Sequence, residues 1–181
     1  DITPQIARID APLLNTAGVN RLCYAGSVLR ATPAPPGMMR EVIQLGAELF
    51  GEAGIAGDRE AIGFLLSSLG AVGLAGLHLD LGHVGVYRAL AGGAGLAGSG
   101  EEALLFEAIR TKDLPSVREL TARLPAAWRD ALSVLPTLYG PAQEVLGTAR
   151  DRLPDVPAVA NALDALLSLA AEFAPKVEAL H

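Results

Sequence analysis

Cysteine is all but missing from this chain of 181 residues, where Cys23 stands alone. A single thiol closes no intrachain disulfide and builds no cysteine-based zinc site, so a reducing cytoplasm is the expected setting. Histidine is nearly as scarce. His78, His83 and His181 have no cysteine or carboxylate partner at ligand spacing, and no metal site or other cofactor is expected. Aromatic residues make up 4% of the chain, so its 51% hydrophobic share is carried by Ala, Leu, Val and Gly, a composition suited to closely packed helices. No uninterrupted apolar run approaches the roughly 18 residues that a membrane span needs, and no secretory leader is visible. Basic charge is in deficit too. The formal net charge is −6 and the pI is near 5.0, which argues against a broad nucleic-acid footprint. Ser27, Ser67 and Ser68 lack a GxSxG setting, so nothing supports nucleophilic catalysis, and no catalytic residue is assigned.

What remains is enough apolar content for a folded core and too little charge for a disordered chain. The length fits one domain, or one domain with a small lobe. Asp1 already sits inside an amphipathic pattern, and His181 follows a long helix directly. The chain therefore reads as the middle of a longer protein.

Thr3–Leu14 predicts a short helix, with Thr3 as N-cap and Pro4 at the first helical position. Two apolar-alternating runs near 21–30 and 40–50 predict paired strands joined by a proline-stiffened loop. Asp58 opens a helix with Ala61, Leu65, Leu66 and Leu69 as its stripe, and the alternation across 77–82 predicts a half-buried strand. Another helix begins at Val84. The glycine-rich run from Gly92 to Gly100 is the best candidate for a boundary or hinge. Beyond it the strand signal ends. Ser99 and Asp113 stand where caps belong, and Pro125, Pro141 and Pro157 stand where helices would start. The last helix should run from Pro157 towards Leu180, with Pro175 kinking it or ending it early. The expected organisation is α+β, with an α+β part over 1–94 and an all-helical region over 95–181.

The chemistry concentrates in residues 21–51. On a strand Gln44, Gly46 and Glu48 share one face, with the two polar residues about 13 Å apart at strand rise. Gly46 leaves a shallow floor between them. Such a slot suits a small zwitterion with a second polar end, the carboxylate accepting from an N–H and the amide helping to hold an ammonium. The competing reading is that Gln44 and Glu48 are the solvated face of a half-exposed strand. Cys23, mid-strand, is expected to be buried packing.

The same residues, RLCYAGSVLRATPAPPGMMREVIQLGAELFG, resemble motif 2 of a class II aminoacyl-tRNA synthetase, in the version carried by histidyl-tRNA synthetases and their non-charging relatives. The segment LDLGHVGVYRAL at 79–90 continues the likeness. The resemblance implies an antiparallel sheet flanked by helices, followed by a helical lobe. It assigns Gln44 and Glu48 to histidine, and through the opening DITPQ it adds Asp1 and Thr3 to the ammonium cage, with Asp1 standing where the family usually has Glu. Arg30 matches the arginine that holds the α-phosphate, so an anion contact is implied there; a strand-end arginine can equally be paired with an acidic neighbour. The ATP-reading positions depart from the pattern. Thr32, Pro33, Met38 and Val42 stand where the family has a glutamate, an arginine, a second arginine and an aromatic.

Together these departures remove much of what adenylation needs to orient ATP. The resemblance therefore points to the non-charging members that serve as regulatory subunits of the short form of ATP phosphoribosyltransferase, the first enzyme of histidine biosynthesis. It implies histidine as ligand, feedback control, the catalytic subunit as partner, and a homodimer within a hetero-oligomer. It implies no catalysis by this chain, no tRNA and no membrane. The alternatives are an active histidyl-tRNA synthetase with an unusual motif 2, and a synthetase-like fold kept for dimerisation alone.

Overall fold

A computed structural model of the chain describes residues 2–31 and 39–181, so Asp1 and residues 32–38 lie outside the described residues. The described part is α+β, as expected, with eight α-helices, one long antiparallel hairpin and one short parallel strand pair. Packing divides the chain into two compact units, Asp1–Val72 and Gly73–His181.

In the first unit, α1 (Thr3–Arg8) runs straight into a π-helical stretch, Ile9–Leu14, with Pro12 inside it. Proline has no N–H to give an α-helical ladder, and a wider turn absorbs that defect. The cap differs from expectation. Ile2 is the N-cap residue and Thr3 the first helical residue, so the Thr3 hydroxyl is not spent on capping. Asn15 ends the segment in the left-handed region, at φ 42°. Asn20 Nδ2 then donates to Asp10 Oδ1 at 2.7 Å, and Thr16 Oγ1 donates to Asn20 Oδ1 at 2.8 Å, tying this segment to the first strand.

β1 (Asn20–Leu29) and β2 (Glu41–Phe50) pair antiparallel from Asn20 opposite Phe50 to Leu29 opposite Glu41. One more backbone bond, from the Arg30 N–H to the Arg40 carbonyl at 2.9 Å, extends the ladder towards the loop. Burial alternates strictly along β1. Leu22, Tyr24, Gly26 and Val28 face inwards with Val42, Gln44, Gly46 and Glu48, and the opposite face is largely open. Cys23 lies on that open face and is exposed, which corrects the expectation of buried packing. It stands opposite Ala47, on the face that also carries Ile43 and Leu45, which are each 75% exposed. After β2 the chain turns at Gly51, with φ 84°; a Cβ there would lie 2.1 Å from the Gly18 carbonyl oxygen, so only glycine fits.

α2 (Ile55–Ala71) starts before Asp58, with Gly54 as its N-cap residue. The inward stripe is only partly the expected one. Leu66 and Leu69 are half-buried with Ile62, whereas Ala61 and Leu65 are exposed. Glu60 pairs with Arg21 of β1 through both carboxylate oxygens, Nη2 to Oε2 being 2.8 Å, and the guanidinium holds the Glu60 carboxyl below its usual range.

The second unit holds every fully buried apolar side chain among the described residues. β3 (His78–Leu79) and β4 (Ala179–Leu180) pair in parallel, so the strand expected over 77–82 shrinks to two paired residues, although its alternation survives with Leu79 buried. The helices are α3 (Val84–Gly93), α4 (Gly100–Arg110), α5 (Leu114–Thr121), α6 (Ala126–Val134), α7 (Ala142–Arg152) and α8 (Pro157–Phe173). Several starts follow the expected signals. Ser99 Oγ accepts from the Glu102 N–H at 3.1 Å, Asp113 Oδ1 accepts from the Ser116 N–H at 3.3 Å, and Pro125 and Pro141 are N-cap residues. The Asp113 carboxyl is held below its usual range, first by the Ser116 hydroxyl and then by that N–H. Pro175 follows the end of α8, which gives way to a 3₁₀ turn.

The glycine run 92–100, expected as a boundary or hinge, is instead a packed turn. Leu96 is buried, its N–H bonds the Ala91 carbonyl at 2.9 Å, and α3 before the run packs on α6 and α8. Gly93 is small because the Trp128 ring lies against it, 2.3 Å from where a Cβ would stand. Packing thus breaks between residues 72 and 73, not at 94 and 95. Pro157–Lys176 is long and apolar enough to cross a membrane by length and composition, with a mean hydropathy of 1.2 over the span. Val159, Leu163, Leu169 and Phe173 of this helix are nevertheless core residues of the helical unit.

Candidate functional site

The site lies on the inward face of the hairpin, in the first unit. Even spacing puts Tyr24 and Gly26 of β1 on the same face as Gln44, Gly46 and Glu48 of β2. The N-terminal segment reaches that face: Ile2 Cδ1 is 3.6 Å from where a Gly26 Cβ would stand. Thr3 Oγ1 donates to Glu48 Oε1 at 2.6 Å, a short bond typical of a charged acceptor. So Thr3, Gln44 and Glu48, three of the four residues assigned to histidine from the sequence, gather around one spot. Asp1, the fourth, lies outside the described residues.

What joins them is Tyr24, a residue that the motif does not single out. The Tyr24 hydroxyl lies 3.4 Å from Thr3 Oγ1, and Gln44 Nε2 donates to it at 3.4 Å. Tyr24 stands directly opposite Gly46 in the ladder, and its ring covers that glycine. A Cβ at position 46 would meet the hydroxyl oxygen at 2.3 Å and Cζ at 2.4 Å. The floor between Gln44 and Glu48 is therefore paved by a phenol ring rather than bare. Pairing numbers in this hairpin sum to 70, so placing the Arg30–Arg40 closure correctly would have set Tyr24 across from Gly46; an aromatic covering a cross-strand glycine is a known pairing.

The arrangement is rich in acceptors. Thr3 donates its hydroxyl hydrogen to Glu48, and Gln44 Oε1 is buried with no partner among the described residues. A buried unpartnered carbonyl oxygen is costly, about 1–3 kcal/mol, and is relieved by a ligand that brings a donor. A carboxylate and a free amide oxygen on one face suit a cationic group with several N–H bonds, such as an ammonium or a protonated imidazole.

Arg30, just after β1, is exposed and has no acidic partner among the described residues. Arg40 is used differently. Its Nε and Nη2 donate to the carbonyls of Arg30 and Ala31, each at 3.2 Å, and so brace the strand ends. Val42, where the resemblance expects an aromatic, faces inwards opposite Val28. Thr32, Pro33 and Met38 lie outside the described residues.

The helical unit has a cavity of about 200 Å³ among Leu81, Val86, Leu146 and Leu163, with His83 and His181 in its lining. His83 Nδ1 already accepts from the Gly85 N–H at 3.0 Å, and the rest of the lining is mainly apolar. It offers few anchors for a small zwitterion. The hairpin face offers several.

The family model described as histidyl-tRNA synthetase matches residues 1–180. The chain belongs to the histidyl-tRNA synthetase family. Among curated members, the ATP phosphoribosyltransferase regulatory subunit of Thiobacillus denitrificans is 54% identical over 169 residues, 93% of this chain and 52% of that protein. The protein of the same name from Ralstonia nicotianae is 53% identical over 171 residues, 94% of this chain and 44% of its own length. The chain thus spans about half the length of the curated relatives it matches. A solved structure from Bacillus halodurans, titled an ATP phosphoribosyltransferase regulatory subunit/histidyl-tRNA synthetase, superposes with a TM-score of 0.79 at 28% identity, covering 99% of this chain and 47% of that one. The synthetase-like fold expected from the hairpin motif is the fold of the family.

Proposed function

We propose that this chain is part of a regulatory subunit of ATP phosphoribosyltransferase that binds histidine on the inward face of the β1–β2 hairpin. The observation that carries the reading is the cluster of Thr3, Tyr24, Gln44 and Glu48, acceptor-rich and with Gln44 Oε1 lacking a partner among the described residues. Relatives above 50% identity that bear the regulatory name supply the enzymatic context. On this reading Glu48 accepts from the imidazole, while Thr3, Gln44 and Asp1 surround the amino group. The complete protein acts in the cytoplasm as a homodimer bound to the catalytic subunit, with no tRNA and no chemistry of its own. Histidine then controls the partner by binding one state of the complex more tightly than the other, a coupling of about 1–3 kcal/mol in typical cases.

Loss of activation follows from the nucleotide side. Thr32, Pro33, Met38 and Val42 supply neither the hydrogen bonds nor the stacking surface that orient ATP, and Arg30 alone is a weak substitute for that set. A second reading, a tRNA-charging synthetase, draws on Arg30, which has no acidic partner among the described residues, and on the double name of the Bacillus halodurans structure. Histidine-dependent ATP–pyrophosphate exchange by the full-length protein separates the two. We expect exchange no higher than a no-enzyme blank, together with histidine inhibition of the reconstituted phosphoribosyltransferase. Robust exchange would overturn the regulatory reading.

A further inference from the structure

We infer that Tyr24 is a positioning residue of this site: its hydroxyl fixes the direction of the hydrogen bonds around the ligand's ammonium group. The inference rests on the hairpin face being the histidine site. Three contacts carry it. Gln44 Nε2 donates to the Tyr24 oxygen at 3.4 Å, the Tyr24 oxygen lies 3.4 Å from Thr3 Oγ1, and Thr3 Oγ1 donates to Glu48 at 2.6 Å. Because the Thr3 proton is already committed to the carboxylate, the proton between Tyr24 and Thr3 belongs to the phenol. Every bond in the relay therefore points one way, from the Gln44 amide through Tyr24 and Thr3 to Glu48.

Direction matters because an amide can present either end. With its N–H side engaged by the phenol oxygen, Gln44 keeps Oε1 as the other end, and that oxygen is buried with no partner among the described residues. An ammonium meets an acceptor there. Without the phenol oxygen, Gln44 can turn its NH₂ towards the ligand, donor against donor, and Thr3 is no longer held between two partners. Gly46 belongs to the same device, since any side chain there would displace the ring.

Tyr24→Phe keeps the ring over Gly46 and removes the hydroxyl alone. The test is calorimetric titration of the full-length protein and of Tyr24→Phe with two probes, L-histidine and imidazolepropionic acid, which is histidine without its amino group. We expect Tyr24→Phe to lose about tenfold in histidine affinity and to bind the deamino probe as the parent does, with the same melting temperature. Equal loss for both probes would make Tyr24 a merely structural residue, and unchanged histidine affinity would remove it from the site; either result overturns the inference. Failure of the parent protein to bind histidine is a different result, which overturns the site itself before Tyr24 is in question.

Discussion

Replacing Glu48 with glutamine should lower the affinity of the full-length protein for histidine about a hundredfold. The substitution keeps the shape of the side chain, and an amide oxygen can still accept from Thr3, so only the charge is withdrawn. That charge is the one formal negative charge among Thr3, Tyr24, Gln44 and Glu48, and a hydrogen bond to a charged group contributes about 1.5–3 kcal/mol, against 1.4 kcal/mol per tenfold in affinity. The short Thr3–Glu48 bond of 2.6 Å marks the carboxylate as the electrostatic centre of the cluster. The unliganded fold should hardly notice, because Thr3 is exposed and, among the described residues, no apolar side chain of the first unit is fully buried. Calorimetry with histidine reads the loss, and thermal melting serves as control. Affinity within a factor of three of the parent would take Glu48 out of the site.

Leu90→Ala should have the largest effect on stability, about 3 kcal/mol, within the 2–5 kcal/mol found for buried leucine truncations. Leu90 is 0% exposed on α3, which packs on α6 and α8. The substitution therefore opens a cavity at the centre of the helical unit, with little room for collapse between elements held from several sides. Urea denaturation of the full-length protein, followed by helical circular dichroism, measures it. The experiment also decides where the helical body begins. A loss under about 1 kcal/mol would mean that α3 lies outside the helical core, as a boundary at 94 would require.

That boundary marks where local pattern ran out. Gly92–Gly100 carries the composition of a linker, yet Gly93 is glycine because Trp128, far along the chain, needs its surface, and Leu96 is buried between helices. Neither fact is local. The strand expected over 77–82 fails in a similar way, since its length depends on β4 at the far end of the chain. Where a rule acts through neighbouring residues, expectation and structure agree. Ser99 and Asp113 cap their helices, Pro175 comes just after the end of α8, and the period-2 pattern of both hairpin strands gives the inward face carrying Gln44 and Glu48. Tyr24 and Cys23 show the limit within the hairpin itself. Parity along one strand cannot say which face is covered, which packing decides, nor which residue stands across from Gly46, which register decides. Thr3 is offered two roles by the sequence, in the ammonium cage and as a helix cap. It does not serve as the cap, and its hydroxyl goes to Glu48 instead.

The most direct measurement of histidine binding without activation is a calorimetric titration of the folded full-length protein with L-histidine in the presence of ATP. Saturable binding at one site per chain is expected, with no pyrophosphate formed. No heat at millimolar histidine, or a heat that appears only as ATP is consumed, would contradict it.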